Sequence, residues 1–428
     1  MTRFDRREFL RATGAAGLLA GLYGCGAGAS KASGHVVVIG GGYGGATAAK
    51  YLRLWSRGGV AVTLIERNAQ FVSCPISNLV VAGTRTLADI TVGYEGLKKH
   101  GVKVVQGDVV GIDADKRNVR LANGDAVSYD RLVVAPGIDF MYEGLPGLNS
   151  AGAQESILHA WKAGPQTVAL RKQLEAMPDG GTYAICIPKA PYRCPPGPYE
   201  RASVIAWYFK QQKPKSRVLI LDANEDVVSK KGLFMKVWGD AYKGIVEYRP
   251  QSELRDVDAA NRTAILEFDK VKADVLNVVP AQRAGAIAQQ AGLVNVNQRW
   301  CGIDWMSMES TAVKGIHVLG DATFPAPTMP KSGHMANQHA KLAAAAILNM
   351  LSGQPPSDQP LVMNTCYSFV DDKRVIHVSS VHAYDAPNKT LQPVKGAGGL
   401  SSEPNEVEGK VALAWAKNIW ADMLGGPA

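Results

Sequence analysis

The segment HVVVIGGGYGGATAAKYLRL, residues 35–54, limits what this chain can fold into more than any other. A β-branched run leads into Gly40-x-Gly42-x-x-Gly45, and an Ala-rich helical pattern follows. The next apolar run, VAVTLIER, ends in Glu66 and Arg67, with Glu66 twenty-one residues beyond Gly45. A glycine motif between a strand and a helix, with an acid at that distance, is the signature of a dinucleotide-binding βαβ unit. Gly40 makes the tight turn, Gly42 lets backbone approach a pyrophosphate, and Gly45 allows the helix to pack closely on the strand. Free N–H groups and the dipole at the helix N-terminus favour the phosphates. Glu66, with Arg67 beside it, is placed to take an adenosine ribose.

Two later segments carry the reading further. YDRLVVAPGI (129–138) reads as a buried strand ending in a small-residue turn at Gly137, and GIHVLGDAT (315–323) as another ending at Asp321. Both resemble the later fingerprints of flavoproteins with two dinucleotide domains. That resemblance implies FAD, with Asp321 on its ribityl chain. PTMPKSGHMANQHAKLAAAAILNML then starts a long helix near Lys331, whose N-terminus would face the flavin and stabilise negative charge on it.

Residues 151–279 read as a second α/β unit: GGTYAICIP a strand, YERASVIAWYFKQQ a helix, SRVLILD a strand ending in Asp222. Its first turn, PYRCPPGPYE (191–200), should be glycine-rich if it bound a pyrophosphate. Instead Pro188, Pro191, Pro195 and Pro196 stand there, each without the N–H that a phosphate accepts from. The fold is expected without its nicotinamide site, although Asp222 keeps the ribose position.

FVSCPISN (71–78), YRCPPGPYERAS (192–203), PKSG (330–333) and NTCYS (364–368), in that order, resemble the flavoprotein subunit of flavocytochrome c sulfide dehydrogenase across nearly all of residues 34–428. The resemblance implies an α/β fold of two Rossmann-like, glutathione reductase-type domains plus a small C-terminal α+β domain. The parts are 33–150 and 280–360 for FAD, 151–279 for the second unit, and 361–428 for a C-terminal interface domain. It further implies FAD held covalently through Cys74, a redox-active disulfide between Cys194 and Cys366 on accessible turns, and a c-type cytochrome partner that takes electrons singly. Glu200 matches a family residue near the site and is either an acid–base group or a solvated first-turn charge. Cys186 reads as inert core. Cys301 departs from the family's pattern by lacking a following proline and takes no role.

Sulfide:quinone oxidoreductase, which would need a membrane-facing surface, is the nearest rival. KVALAWAKNIWADML (410–424) could be that surface or a helix docked on its own protein. A sulfur-oxidation accessory flavoprotein acting on a carrier-protein thiol is another reading, and a pyridine-nucleotide disulfide reductase is disfavoured by the prolines.

The N-terminus, DRREFLRATGAAGLLAGLYGCGAGASKA, has paired Arg6 and Arg7, a weakly apolar stretch, then small residues. That is the build of a twin-arginine export signal over residues 1–32, which implies a periplasmic protein. Cys25 fits a lipoprotein site poorly because of Tyr23. Cleavage would remove five basic residues (Arg3, Arg6, Arg7, Arg11, Lys31) and two acidic ones (Asp5, Glu8), taking the net charge from +9 to +6. A mild basic excess without a basic stripe gives no reason to invoke nucleic acid. No run is long and apolar enough for a transmembrane helix, and no Cys or His spacing suggests a metal site or a haem attachment in this chain.

Overall fold

The computed structural model describes residues 32–425, so the export-signal reading of residues 1–32 lies outside them apart from Ala32. The architecture is mixed α/β, built on two parallel sheets with smaller antiparallel sheets around them, one of which closes the C-terminal part. In the first sheet the strands Ile316–Val318, Arg131–Val134, Gly34–Ile39, Val60–Glu66 and Lys103–Gln106 lie side by side in that order, all parallel. A strand covered on both faces must be apolar throughout, and Val36, Val37 and Val38 are fully buried in its middle. Helices Tyr43–Trp55 and Gly333–Leu351 pack against each other and supply the small residues Ala46, Ala48, Ala49, Ala340, Ala343 and Ala344 to the core.

The second parallel sheet orders Val246–Arg249, Arg217–Asp222, Thr182–Ile187 and Val275–Val278. Helix Gly197–Gln212 follows the Thr182–Ile187 strand and is buried along most of its length. After it returns to the first sheet, the chain ends in three antiparallel strands, Leu361–Phe369, Val375–Asp385 and Thr390–Leu400, and the helix Glu406–Leu424. That helix buries Gly409, Ala412, Ala416 and Ile419. Trp420 donates from Nε1 to the Tyr43 hydroxyl at 3.1 Å, and Tyr51 donates to Asp422 Oδ1 at 2.5 Å. Of the two readings of residues 410–424, the docked one describes this helix. No helix among the described residues is long and apolar enough to cross a membrane.

Candidate active site

In a doubly wound sheet the crevice beyond the carboxyl ends of the strands is the natural ligand site. Here it is a cavity of about 420 Å³ reaching from Glu66 at one end to Cys366 and Trp415 at the other. The glycine turn forms its floor, and the three glycines differ in what they permit. A Cβ on Gly45 would meet the Gly40 carbonyl oxygen at 1.8 Å, and one on Gly40, whose φ is +94°, would meet that of Ala135 at 2.4 Å. Nothing lies within 4 Å of a Cβ on Gly42, which borders the cavity. So Gly40 and Gly45 hold turn and helix together while Gly42 leaves a bare approach for a ligand. Gly45→Ala is therefore expected to cost about 1–3 kcal/mol by overpacking and to lower bound flavin. Melting temperature and the ratio of flavin to protein absorbance check it, and a variant unchanged in both would overturn this account of the turn.

The groups that would receive FAD fit it. Glu66 accepts from Gly41 N at 2.6 Å and from Asn68 N at 2.8 Å, which fixes its carboxylate at the cavity's edge. Asp321 lines the cavity with Oδ1 buried and without a hydrogen-bond partner, as expected of an acceptor waiting for a ligand hydroxyl. Gly137, at φ +66°, borders the same space. Lys331 is buried behind Asp321, donates to the carbonyls of Asp321 and Thr323, and lies 3.6 Å from the centre of the Trp300 ring. Burial pulls its ammonium down to about 7. Ser332 caps the following helix by accepting from Met335 N at 3.0 Å. Arg67 does not belong to this group. It lies just past the strand Val60–Glu66, points into solvent and pairs with Asp108 at 3.0 Å.

In the second unit the structure corrects the status of Asp222. That carboxylate is fully buried and already occupied: Tyr199 and Tyr248 donate to Oδ2 at 2.6 and 3.0 Å, and Asn224 N donates to Oδ1 at 3.0 Å. The sequence position is retained, but the acid is used to hold the fold. NADH and NADPH are thus expected neither to bind at micromolar concentration nor to reduce the flavin. Stoichiometric bleaching by NADH in an anaerobic cuvette would overturn this.

Three cysteines line the one cavity: Cys74, Cys194 and Cys366. Cys74 follows the short strand Gln70–Val72. Its sulfur accepts from Arg193 Nη2 at 2.9 Å, and Arg193 also donates to the Trp161 carbonyl. Cys194 sits in the proline turn at φ +57°, its N–H donating to the Lys331 carbonyl at 2.7 Å. Ile76, at φ +76°, borders the same cavity, and Lys230, at φ +57°, lies behind it. Left-handed backbone at non-glycine residues costs free energy that the surrounding packing must hold in place.

Cys366 lies within the strand Leu361–Phe369 rather than on a turn, since the whole NTCYS block pairs with Val375–Asp385. Cys194 and Cys366 are free thiols in this structure rather than the expected disulfide. Their juxtaposition is what the fold supplies. The Cys366 sulfur takes a hydrogen bond from Asn364 Nδ2 at 3.3 Å, and a charge on Cys366 acts directly on Cys194. Burial pushes both thiols up; Cys366 and Glu200 add to the rise at Cys194, while Lys230 opposes it at Cys366.

Glu200 is not a solvated charge. It is buried, accepts from Phe369 N at 3.3 Å, and is raised by burial to about 7 against the pull of Lys230. Cys186 and Cys301 are buried in strands, and burial raises each to about 12, so neither takes part.

Two site residues escape sequence reasoning. Arg193 adjoins Cys194 in the quoted block, and that adjacency was the one available signal. Lys230 had none: its neighbour Lys231 pairs with Asp226 in solvent, while Lys230 is buried against the cysteines.

Comparison with known proteins agrees with this geometry. Family models match in three parts: "Pyridine nucleotide-disulphide oxidoreductase" over residues 34–173, "Sulfide dehydrogenase (flavocytochrome c) flavoprotein chain, central" over 167–280, and "Flavocytochrome c sulphide dehydrogenase, flavin-binding" over 358–424. The chain is 56% identical over 46 residues to the sulfide dehydrogenase (flavocytochrome c) flavoprotein chain of Chlorobaculum thiosulfatiphilum, covering 94% of that sequence and 11% of this one. It is 25% identical over 336 residues to the mitochondrial sulfide:quinone oxidoreductase of Mus musculus, covering 75% of this chain and 72% of that one. The solved sulfide:quinone oxidoreductase from Aquifex aeolicus superposes with a TM-score of 0.74 at 18% identity, covering 92% of each chain, a likeness of fold.

Proposed function

The chain belongs to the flavocytochrome c sulfide dehydrogenase flavoprotein family, and from that premise we propose that it oxidises hydrosulfide through Cys194 and Cys366 and delivers the electrons to a c-type cytochrome. It is a flavin oxidoreductase acting on sulfide. The observation that carries the finer reading is the meeting of Cys74, Cys194 and Cys366 in one cavity. Cys74 is the attachment point of FAD, and Cys194 with Cys366 is the working pair, cycling between dithiol and disulfide. When bound, FAD supplies an acceptor that takes two electrons together and gives them up singly.

Hydrosulfide attacks one sulfur of the oxidised pair. The cysteine–cysteine bond breaks as a persulfide bond forms, and the displaced cysteine leaves as a thiolate. A further thiol or hydrosulfide then removes the sulfane sulfur. Over the cycle hydrosulfide loses two electrons and one proton. Glu200, whose carboxyl burial raises to about 7, is placed to take that proton. The paired Arg6 and Arg7 ahead of a weakly apolar stretch support a periplasmic location for the enzyme, and the partner inferred there is a c-type cytochrome.

The relatives named for quinone reduction favour a second acceptor. Anaerobic titration with sulfide tests both. Bleaching of the flavin followed by cytochrome c reduction supports the proposal. Bleaching followed by reduction of a soluble ubiquinone analogue alone would replace the cytochrome with quinone, and no bleaching would refute the sulfide reading.

A further inference from the structure

Behind the strand that carries Cys366 lies an ammonium group that the chemistry above does not use. Lys230 is buried, and its Nζ donates to the Cys366 carbonyl at 3.1 Å, to Ser368 Oγ at 2.7 Å and to the Ile376 carbonyl at 3.3 Å. All three donors are spent on the two paired strands Leu361–Phe369 and Val375–Asp385, so the charge cannot swing away. We propose that Lys230 is the positioning cation of the thiol pair and makes Cys366, rather than Cys194, the sulfur that carries negative charge when the pair is reduced.

The asymmetry between the two sulfurs supports this. Cys366 has a hydrogen-bond donor on its sulfur, Asn364 Nδ2, and the fixed Lys230 charge behind its own backbone. After burial, Lys230 is the largest influence on the Cys366 thiol and acts to lower it. For Cys194 the largest influences after burial are Cys366 and Glu200, and both oppose ionisation. A fixed charge acts strongly here because the surroundings are of low dielectric. The charged or titratable groups facing Lys230 are Cys366, Glu200, Cys194 and Glu408, all of which favour its protonated form, while burial lowers it to about 8. Its support of the thiolate is therefore present at neutral pH and fades as pH rises through that value. Glu200 acts in the opposite sense, since its negative charge disfavours a thiolate beside it.

The inference uses the proposed redox role of the pair, but its test needs no sulfide. The flavin-loaded protein, reduced with a phosphine, is alkylated with iodoacetamide over a range of pH, and the two cysteines are followed separately by peptide mass spectrometry. Cys366 is expected to react before Cys194. Near pH 7, Lys230→Met should slow Cys366 by about tenfold, the effect of one unit on a thiol. Lys230→Gln should do the same, although its amide still donates to Ser368. Glu200→Gln should speed Cys366 severalfold. Wild-type speed in Lys230→Gln would reduce Lys230 to a hydrogen-bonding prop and overturn the proposal, and so would Cys194 reacting first or no change in Glu200→Gln. Where the lysine variants do not fold, the wild-type pH profile decides: the Cys366 advantage over Cys194 should fade as pH rises through about 8, and an advantage that does not fade overturns the proposal. If these shifts hold while sulfide fails to bleach the wild-type flavin, the proposed function falls and the role of Lys230 stands.

Discussion

Cys194→Ser and Cys366→Ser are each expected to lose sulfide-driven reduction of the bound FAD by about three orders of magnitude or more, the scale seen when one member of a catalytic unit is removed. Melting temperature and flavin content should stay near those of the parent. The two residues border the same cavity as the FAD-binding groups, yet they contribute little to what holds the fold. The cores of the two parallel sheets consist of other residues, and Gly42, Gly44 and Glu66 line the cavity at the glycine turn. A bridge whose purpose was structural predicts the reverse: a loss of roughly 2–4 kcal/mol with turnover retained in whatever folds. Each variant is scored by thermal melt, by flavin absorbance and by anaerobic reduction with sulfide, with dithionite as a control that needs no cysteine. Parent-like reduction by sulfide in Cys194→Ser would remove the thiol pair from the mechanism.

FAD should remain on the polypeptide after denaturation in acid or detergent, and Cys74→Ser should release essentially all of it. Cys74 is the one cavity cysteine separate from the working pair, and its sulfur is held in place by Arg193 Nη2 and by Ala163 N at 3.5 Å. Non-covalent binding in Cys74→Ser should persist, since Gly42, Glu66 and Asp321 are untouched. Intact mass and in-gel flavin fluorescence of the denatured chains read the outcome directly. A parent chain without a flavin adduct would show that Cys74 only lines the pocket, leaving the pair chemistry unaffected.

Much of this protein could be read from local order in the chain. The glycine spacing at 40–45, the acid at 66 and the apolar strands around 36 and 133 specify a dinucleotide fold because each obeys a rule of backbone geometry within one βαβ unit. The prolines around Cys194 are legible in the same way, since a missing N–H is a property of the residue itself. What the tertiary structure decided was always a matter of charge or burial set by distant segments. Asp222 keeps its sequence position but is consumed by Tyr199 and Tyr248, the second of which arrives from another strand of the sheet. Arg67, one residue from Glu66, turns to solvent and pairs with Asp108, which comes from a distant segment. Glu200 could have been a surface charge on its helix, and Lys230 is indistinguishable in sequence from the exposed Lys231. Only the packing of the C-terminal strands against the second unit buries both beside Cys366. Periodicity and spacing report on neighbours along the chain. The dielectric around a charge, and so its chemistry, depends on what folds over it.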